Sequence, residues 1–147
     1  MPKCSEVMTR EPSACEPGDS VRQVADLMKR EDVGSLPVVE SRDSKRLVGI
    51  VTDRDLVVKV IAGGADPDRA TVRDAMTADP VSCRDDEDLE RAVSTMKERQ
   101  VRRIPVVDRN GRLAGIIAQA DVATRANEDR RTGELVEAIS EPKTERR

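Results

Sequence analysis

Residues 47–58 read LVGIVTDRDLVV, and residues 113–124 read LAGIIAQADVAT, which is a second form of the same pattern. Both begin with an apolar run around a central glycine, as a buried β-strand does, and both return to apolar residues around an aspartate, as a packed helix does. The polar residues differ, because Thr52 in the first form is replaced by Ala118 in the second. The sequence therefore predicts a duplicated strand-to-helix junction whose two copies carry different chemistry.

The duplication covers most of the 147 residues. Met8-Thr9 matches Met76-Thr77 at an offset of 68 residues, and the same offset relates further pairs: Pro12 and Pro80, Cys15 and Cys83, Met28 and Met96, Pro37 and Pro105. The offset then falls to 66, because the segment between the two strands is shorter in the second copy, which indicates a surface hairpin loop. The predicted domains are a first copy at residues 5–66, a second copy at residues 67–126 and a charged tail at residues 127–147.

Each copy predicts an amphipathic helix ahead of its two strands. In the first copy Ser20 and Gln23 form a capping-box pair, and an apolar stripe follows at helical spacing: Val21, Val24, Ala25 and Met28. The second copy has Asp88 at the equivalent start and a matching stripe: Leu89, Ala92, Val93 and Met96. We assign the methionines of both stripes to core packing.

Two short β-branched runs follow each helix, SLPVV and RLVGIVT in the first copy and RIPVV and RLAGIIA in the second. Asn110-Gly111, between the second pair of runs, is a strong hairpin signal. A second helix is expected over residues 53–61 and from Gln119 to about Arg125, and a short strand near residues 13–15 and 81–83. Each copy thus has the predicted order β-α-β-β-α.

A repeat of this size is marginally stable alone, because a unit of about 60 residues buries only about 60% of the surface of its unfolded chain. Two copies that pack together would each cover the apolar sheet face of the other. The sequence therefore predicts a mixed α/β (α+β) fold in which the two β-α-β-β-α copies pack sheet face to sheet face.

The composition argues against several classes of function. Phe, Tyr, Trp and His are absent, so the commonest general base, the commonest metal ligand and the usual platform for stacking bases are missing. The net charge of −3 does not attract nucleic acid, and the three cysteines lack the spacing of a zinc site. No apolar run approaches the ~18 residues of a membrane span, and no signal region follows Met1. A cytoplasmic protein without a metal, a nucleic-acid partner or a membrane partner is expected.

The phrases MT…P…LPVVE…LVGIVTDRD and MT…P…IPVVD…LAGIIAQAD together resemble a tandem pair of CBS motifs, the regulatory unit named after cystathionine β-synthase. The resemblance covers essentially residues 5–126, and the chain is similar to small stand-alone bacterial CBS-pair proteins. It implies a pseudo-two-fold disc, usually a homodimer, that binds adenine nucleotides in clefts between the copies. It also implies a regulatory role, in which occupancy by AMP, ADP, ATP or a related adenosyl compound is passed to a downstream protein.

The first junction has the chemistry of such a site. A helix that begins after Thr52 presents unpaired N–H groups to an anion, and the threonine hydroxyl can donate to a phosphate. Asp55 can accept from two ribose hydroxyls. Gly49 is expected to let the backbone run close to the ligand. The alternative is that Asp55 only caps the helix, but the matching Asp121 in the second copy favours a ligand contact over capping alone.

The resemblance supplies the rest of the predicted site. The family meets the adenine edge with main-chain groups at the positions of Ser13, Ala14 and Cys15. It places the positions of Arg102 and Arg103 opposite the ligand phosphate of the neighbouring copy, where guanidinium groups suit bidentate contact. The alternative for this pair is a solvated strand edge.

The two clefts are predicted to be unequal. The first has the hydroxyl, the aspartate and the two arginines, and we expect it to bind one nucleotide per chain, with AMP favoured. The second, weaker cleft is built on Asp121, has Ala118 in place of the hydroxyl, and is faced by Gly34 and Ser35. It lacks positive charge to balance a phosphate, so we expect it to be empty or to hold an uncharged nucleoside.

Two other classes of function stay open. A ligand-free interaction or scaffold protein would dimerise and show no response to nucleotides. A thiol-based redox sensor would use Cys15 and Cys83, which occupy matching positions in the two copies. An enzyme is not expected, because these residue types assemble neither a nucleophile with its base nor a metal cluster.

Overall fold

The computed structural model describes residues 2–133, with side chains to residue 128. Its helices are α1 (Cys4–Val7), α2 (Val21–Glu31), α3 (Asp53–Asp55), α4 (Val72–Ala75), α5 (Leu89–Arg99) and α6 (Gln119–Gly133). A π-helical turn, Leu56–Ile61, continues α3. Its strands are β1 (Thr9–Arg10), β2 (Ser35–Val39), β3 (Leu47–Thr52), β4 (Thr77–Ala78), β5 (Cys83–Arg84), β6 (Arg103–Val107) and β7 (Leu113–Ala118). The predicted mixed α/β class is confirmed, with two sheets.

The described residues form two compact units that do not coincide with the two sequence copies. The first-copy unit consists of residues 11–81 and 109–113. The second-copy unit consists of residues 2–10, 82–108 and 114–133. Each unit therefore takes most of its residues from one copy and a short segment from the other.

The first-copy unit contains a three-stranded sheet in the order β2-β3-β4. The strands β2 and β3 form the predicted hairpin, in which Ser35 lies opposite Thr52. Cys15 adds an isolated parallel bridge to Val38 of β2. The core beside this sheet consists of apolar residues from strands and helices: Cys15, Val21, Val24, Met28, Leu36, Val38, Val51, Leu56, Val60, Val72 and Ala75.

The predicted start of α2 is confirmed. The Ser20 Oγ accepts a hydrogen bond from the Gln23 N–H at 3.1 Å, and the Gln23 Oε1 accepts one from the Ser20 N–H at 2.8 Å. The predicted buried face is wrong in one member, because Ala25 is exposed and Leu27 is partly buried instead. Because an α-helix has 3.6 residues per turn, residues four apart do not lie quite in line. The buried face of α2 therefore includes Leu27 in place of Ala25.

The second-copy unit contains a four-stranded sheet in the order β1-β7-β6-β5. The short strand β5 runs parallel to β6, with Cys83 opposite Val106. The predicted β6–β7 hairpin is confirmed, and Gly111 in its loop has a φ of +81°, a conformation that glycine adopts easily. On α5, three of the four predicted stripe residues are buried and Val93 is partly exposed.

Each sheet is completed by a strand from the other sequence copy. The strand β4 pairs with β3, with Thr77 opposite Ile50, and β1 pairs with β7, with Thr9 opposite Ile116. The sequence analysis missed these two-residue strands and the short helices α1 and α4 that precede them. Elements this short have no periodicity to detect.

The last helix of each copy also differs from expectation. The predicted helix over residues 53–61 is a short α3 followed by the π-helical turn. The helix α6 continues to Gly133 instead of ending at about Arg125, so the first part of the predicted tail is helical. Residues 134–147 of that tail lie outside the described residues. Within residues 2–133, no helix combines the length and the apolar content needed to cross a membrane.

Candidate functional site

The predicted site begins where β3 ends and α3 begins. The Thr52 Oγ1 accepts a hydrogen bond from the Asp55 N–H at 3.1 Å, and the Asp55 Oδ2 accepts one from the Thr52 N–H at 2.9 Å. These two bonds form a capping box, which fixes both side chains at the helix start. Within the described residues, the Thr52 hydroxyl donates no hydrogen bond, so its hydrogen is available to a ligand.

A lysine that the sequence analysis missed also contacts this junction. The Lys59 Nζ lies 3.3 Å from the Asp55 Oδ1 and donates to the Ala75 main-chain oxygen at 3.1 Å. The spacing of four residues between Asp55 and Lys59 on a helix could have indicated the contact. The Asp55 side chain is 16% exposed, so it is mostly covered but still reaches solvent.

The second junction makes the same cap in a weaker form. The Asp121 Oδ2 accepts a hydrogen bond from the Ala118 N–H at 3.0 Å, but Ala118 has no side chain to complete the box. Capping therefore accounts for both aspartates. The repetition of the aspartate therefore does not by itself distinguish a ligand contact from capping, and the ligand contact stays a prediction.

The residue before β2 and the residue before β6 are each tied to the helix start of their own unit. The Asp53 N–H donates to the Gly34 main-chain oxygen at 2.9 Å, and the Gln119 N–H donates to the Arg102 main-chain oxygen at 2.8 Å. A Cβ on Gly34 would lie 3.1 Å from the Asp53 Oδ2. The first-copy unit therefore has little room for a longer side chain at residue 34, unless the Asp53 carboxylate moves.

The structure brings together some of the predicted site residues within one unit. Thr52 and Asp55 lie side by side in the first-copy unit. Arg102, which is exposed, and Arg103, which is partly exposed, belong to the second-copy unit. Their pairing with the first junction remains a prediction.

The segment predicted to meet the adenine edge is only partly available. The Cys15 N–H donates to the Pro37 oxygen at 3.1 Å, and the Cys15 oxygen accepts from the Val39 N–H at 2.8 Å. The Cys15 side chain is buried, and burial raises the pKa of its thiol to about 12. Both main-chain groups of Cys15 are thus committed to β2, which leaves the predicted contact to Ser13 and Ala14.

Gly49 lies where a neighbouring strand comes close to β3. A Cβ at this position would lie 2.8 Å from the Thr77 main-chain oxygen and 3.1 Å from the Met76 sulfur. The equivalent Gly115 would meet the Thr9 oxygen at 2.7 Å. These glycines admit the neighbouring edge strand of the sheet.

The thiols are arranged differently from the redox alternative. Cys15 and Cys83 belong to different units, whereas the Cys83 Sγ lies 3.7 Å from the Cys4 Sγ in the second-copy unit. All three thiols are buried and free. No pattern in the sequence associates Cys4 with Cys83, which are far apart along the chain.

The family model of the CBS domain matches the chain twice, at residues 4–62 and 72–128. The Bacillus subtilis protein YlbB is 39% identical over 141 residues, which is 96% of this chain and 93% of YlbB. The crystal structure of CBSX2, an Arabidopsis thaliana protein, in complex with AMP is 30% identical, with a TM-score of 0.77 over 88% of this chain and 99% of that chain.

A second solved structure contains a different nucleotide. The cytosolic domain of the Mg²⁺ channel MgtE in complex with ATP is 32% identical, with a TM-score of 0.70 over 84% of this chain and 48% of that chain. The two family-model matches together cover well over half of the present chain. The chain therefore belongs to the CBS-domain family and carries two CBS domains in tandem.

Proposed function

We propose that this chain is a non-catalytic regulatory module that binds an adenine nucleotide at the junction of Thr52 and Asp55, with AMP favoured over ADP and ATP. Two proteins of similar sequence and fold bind such ligands, since CBSX2 was crystallised with AMP and the MgtE domain with ATP. The observation that carries the proposal is the first junction, where the Thr52 hydroxyl hydrogen and the Asp55 Oδ1 both remain outside the capping box.

In this proposal each polar group has one role. The ribose hydroxyls donate to the Asp55 Oδ1, which lies beside the Lys59 Nζ in the structure. The Thr52 hydroxyl donates to the phosphate. Arg102 and Arg103 supply positive charge from the second copy.

The adenine edge meets main-chain groups of Ser13 and Ala14. Both residues are partly exposed and precede the bridge between Cys15 and Val38. Because this segment runs parallel to β2, Ser13 lies toward the Ser35 end of that strand, where β2 pairs with Thr52.

The second cleft, built on Asp121, is the weaker one in this proposal. Ala118 offers no hydroxyl to a phosphate, whereas Thr52 does. We therefore expect one AMP per chain.

The proposal also includes a homodimer that passes nucleotide occupancy to a downstream protein, and a cytoplasmic location. Three apolar side chains on the π-helical turn support a protein contact there, because Val57, Val58 and Ile61 are 57%, 48% and 56% exposed. Soluble proteins commonly use such clustered apolar side chains for association.

Two matched variants test the nucleotide site. Asp55→Asn and Asp121→Asn each keep an acceptor for the capping N–H group and remove one carboxylate charge, so both helix starts are preserved. Isothermal titration calorimetry with AMP should give about one site per chain for the wild type. Asp55→Asn should weaken binding at least tenfold, because a hydrogen bond to a charged group is worth about 1.5–3 kcal/mol. Asp121→Asn should bind as the wild type does.

The other outcomes separate the alternatives. Two equal sites per chain, or equal losses in the two variants, would show that the clefts are equivalent. No binding of AMP, ADP or ATP to the wild type would favour the ligand-free interaction protein. Circular dichroism of both variants checks that neither substitution unfolds its unit.

A further inference from the structure

Two of the three cysteines are in contact inside the second-copy unit. Cys4 lies at the start of α1 and Cys83 in β5, and their sulfur atoms are 3.7 Å apart. Both side chains are buried, with exposed fractions of 0% and 4%. The main chain around Cys4 is held to the loop after β5, because its N–H donates to the Glu87 oxygen at 2.9 Å.

The first-copy unit shows that packing alone does not require this pair. At the offset of the repeat, Cys83 corresponds to Cys15 and Cys4 corresponds to Val72. Val72 and Cys15 are also buried, and both belong to the core of their unit. A valine therefore fills in one unit the position that a second thiol fills in the other.

The two thiols differ in acidity. The Cys83 thiol donates its hydrogen to the Cys4 sulfur, which lowers the pKa of Cys4. The same hydrogen bond, together with burial, raises the pKa of Cys83. Cys4 is thus the more readily ionised member, and the thiolate is the nucleophilic form of cysteine.

We propose that Cys4 and Cys83 form a reversible intramolecular disulfide when the chain meets a hydroperoxide. The Cys4 thiolate attacks one peroxide oxygen, so that an S–O bond forms, the O–O bond breaks, and the leaving hydroxide takes a proton to become water. The Cys83 sulfur then attacks the Cys4 sulfenic acid, the S–S bond forms, and a second water leaves with the Cys83 proton. Two thiols are oxidised and one hydrogen peroxide is reduced to two waters.

The disulfide would link residues 2–10 covalently to β5 of the second-copy sheet. This segment contributes β1, a strand of two residues on the edge of β7. A short strand at the edge of a sheet opens more readily than the core of a domain, and such an opening gives the oxidant access to the buried thiols. A covalent bond between residues 4 and 83 prevents that opening by closing a long loop.

The test uses the full chain treated with hydrogen peroxide, before and after dithiothreitol. Titration of the unfolded protein should show three free thiols falling to one, and dithiothreitol should restore all three. Peptide mapping by mass spectrometry should find the Cys4 peptide joined to the Cys83 peptide in a monomeric chain. The melting temperature should rise by roughly 5 °C or more on oxidation.

The chain offers matched control variants. Cys4→Val reproduces the residue at Val72 in the other unit and should abolish both the linked peptide and the rise in melting temperature. Cys15→Val should keep both. A disulfide that includes Cys15, a disulfide between chains, sulfinic or sulfonic acid without a linked peptide, or three retained thiols would each overturn the proposal. If Cys4→Val does not fold, the peptide map of the wild type decides by itself.

Discussion

Replacing Gly49 by alanine tests the strand exchange that completes the first-copy sheet. Gly49 lies in β3 opposite Ala78 of β4, and an added Cβ would lie 2.8 Å from the Thr77 main-chain oxygen. That distance is shorter than normal carbon–oxygen contacts, so β4 or β3 must shift. The Met76 sulfur, 3.1 Å from the same point, can move by rotation of its side chain, whereas the carbonyl oxygen is fixed by the pairing of the strands.

The size of the effect follows from two opposing terms. Overpacking of a filled interior costs about 1–3 kcal/mol. Loss of glycine's freedom in the unfolded chain returns about 0.4–1 kcal/mol. We therefore expect Gly49→Ala to lower the free energy of unfolding by about 1–2 kcal/mol, and the melting temperature by roughly 2–8 °C for a chain of this length.

Urea denaturation followed by far-ultraviolet circular dichroism measures this loss, because the chain has no Trp or Tyr for fluorescence. Gly18→Ala is the matched control, since a Cβ there would meet nothing within 4 Å, and it should leave stability unchanged or slightly raised. Gly115→Ala should cost at least as much as Gly49→Ala, because its Cβ would lie 2.7 Å from the Thr9 oxygen. If Gly49→Ala were as stable as Gly18→Ala, the pairing of β4 with β3 would be refuted.

Two further predictions concern the helix start and the buried thiol of the first-copy unit. Ser20→Ala should lower the free energy of unfolding by about 1 kcal/mol, because it removes the acceptor of the Gln23 N–H. Asp88→Ala removes no such cap and should lower it by less. Equal losses in urea denaturation would contradict this difference. Stability should fall as the pH rises from 9 toward 12, because the Cys15 thiol ionises in the unfolded chain near its ordinary pKa of 9.0 and in the folded chain only at about 12. Cys15→Val should reduce this fall, and an identical pH profile for variant and wild type would count against the buried thiol.

The sequence predicted those parts of the fold that have a period or a strong local signal. The capping box of Ser20 and Gln23, the stripe of α2 and the hairpin at Asn110-Gly111 all depend on residues close together in the chain. The strands β1 and β4 could not be predicted in this way, because each has two residues and pairs with a distant strand. Their one signal is indirect and lies in the glycine of each LVGIV or LAGII run, because a glycine also suits the close approach of a ligand, which is the prediction made for Gly49.

The candidate site was predicted in part for the same reason. Thr52 and Asp55 are three residues apart, so their contact is local and follows from the chemistry of helix starts. The commitment of Cys15 to β2 depends on a strand more than twenty residues away, and residue type alone does not reveal it. Capping also satisfies both aspartates without a ligand, so a repeated residue can reflect a repeated structural need.

The exchange of edge strands explains why the CBS motif occurs here as a pair. The strand β4 and the buried residues Val72 and Ala75 of α4 follow the first copy in sequence but belong to the core and sheet of its unit. In the same way β1 precedes the second copy in sequence and yet completes its sheet by pairing with β7. A single copy cut at residue 66 would therefore lose an edge strand and part of its core, in addition to any surface that a partner copy covers. Each unit is therefore complete only with the segment that the other copy contributes.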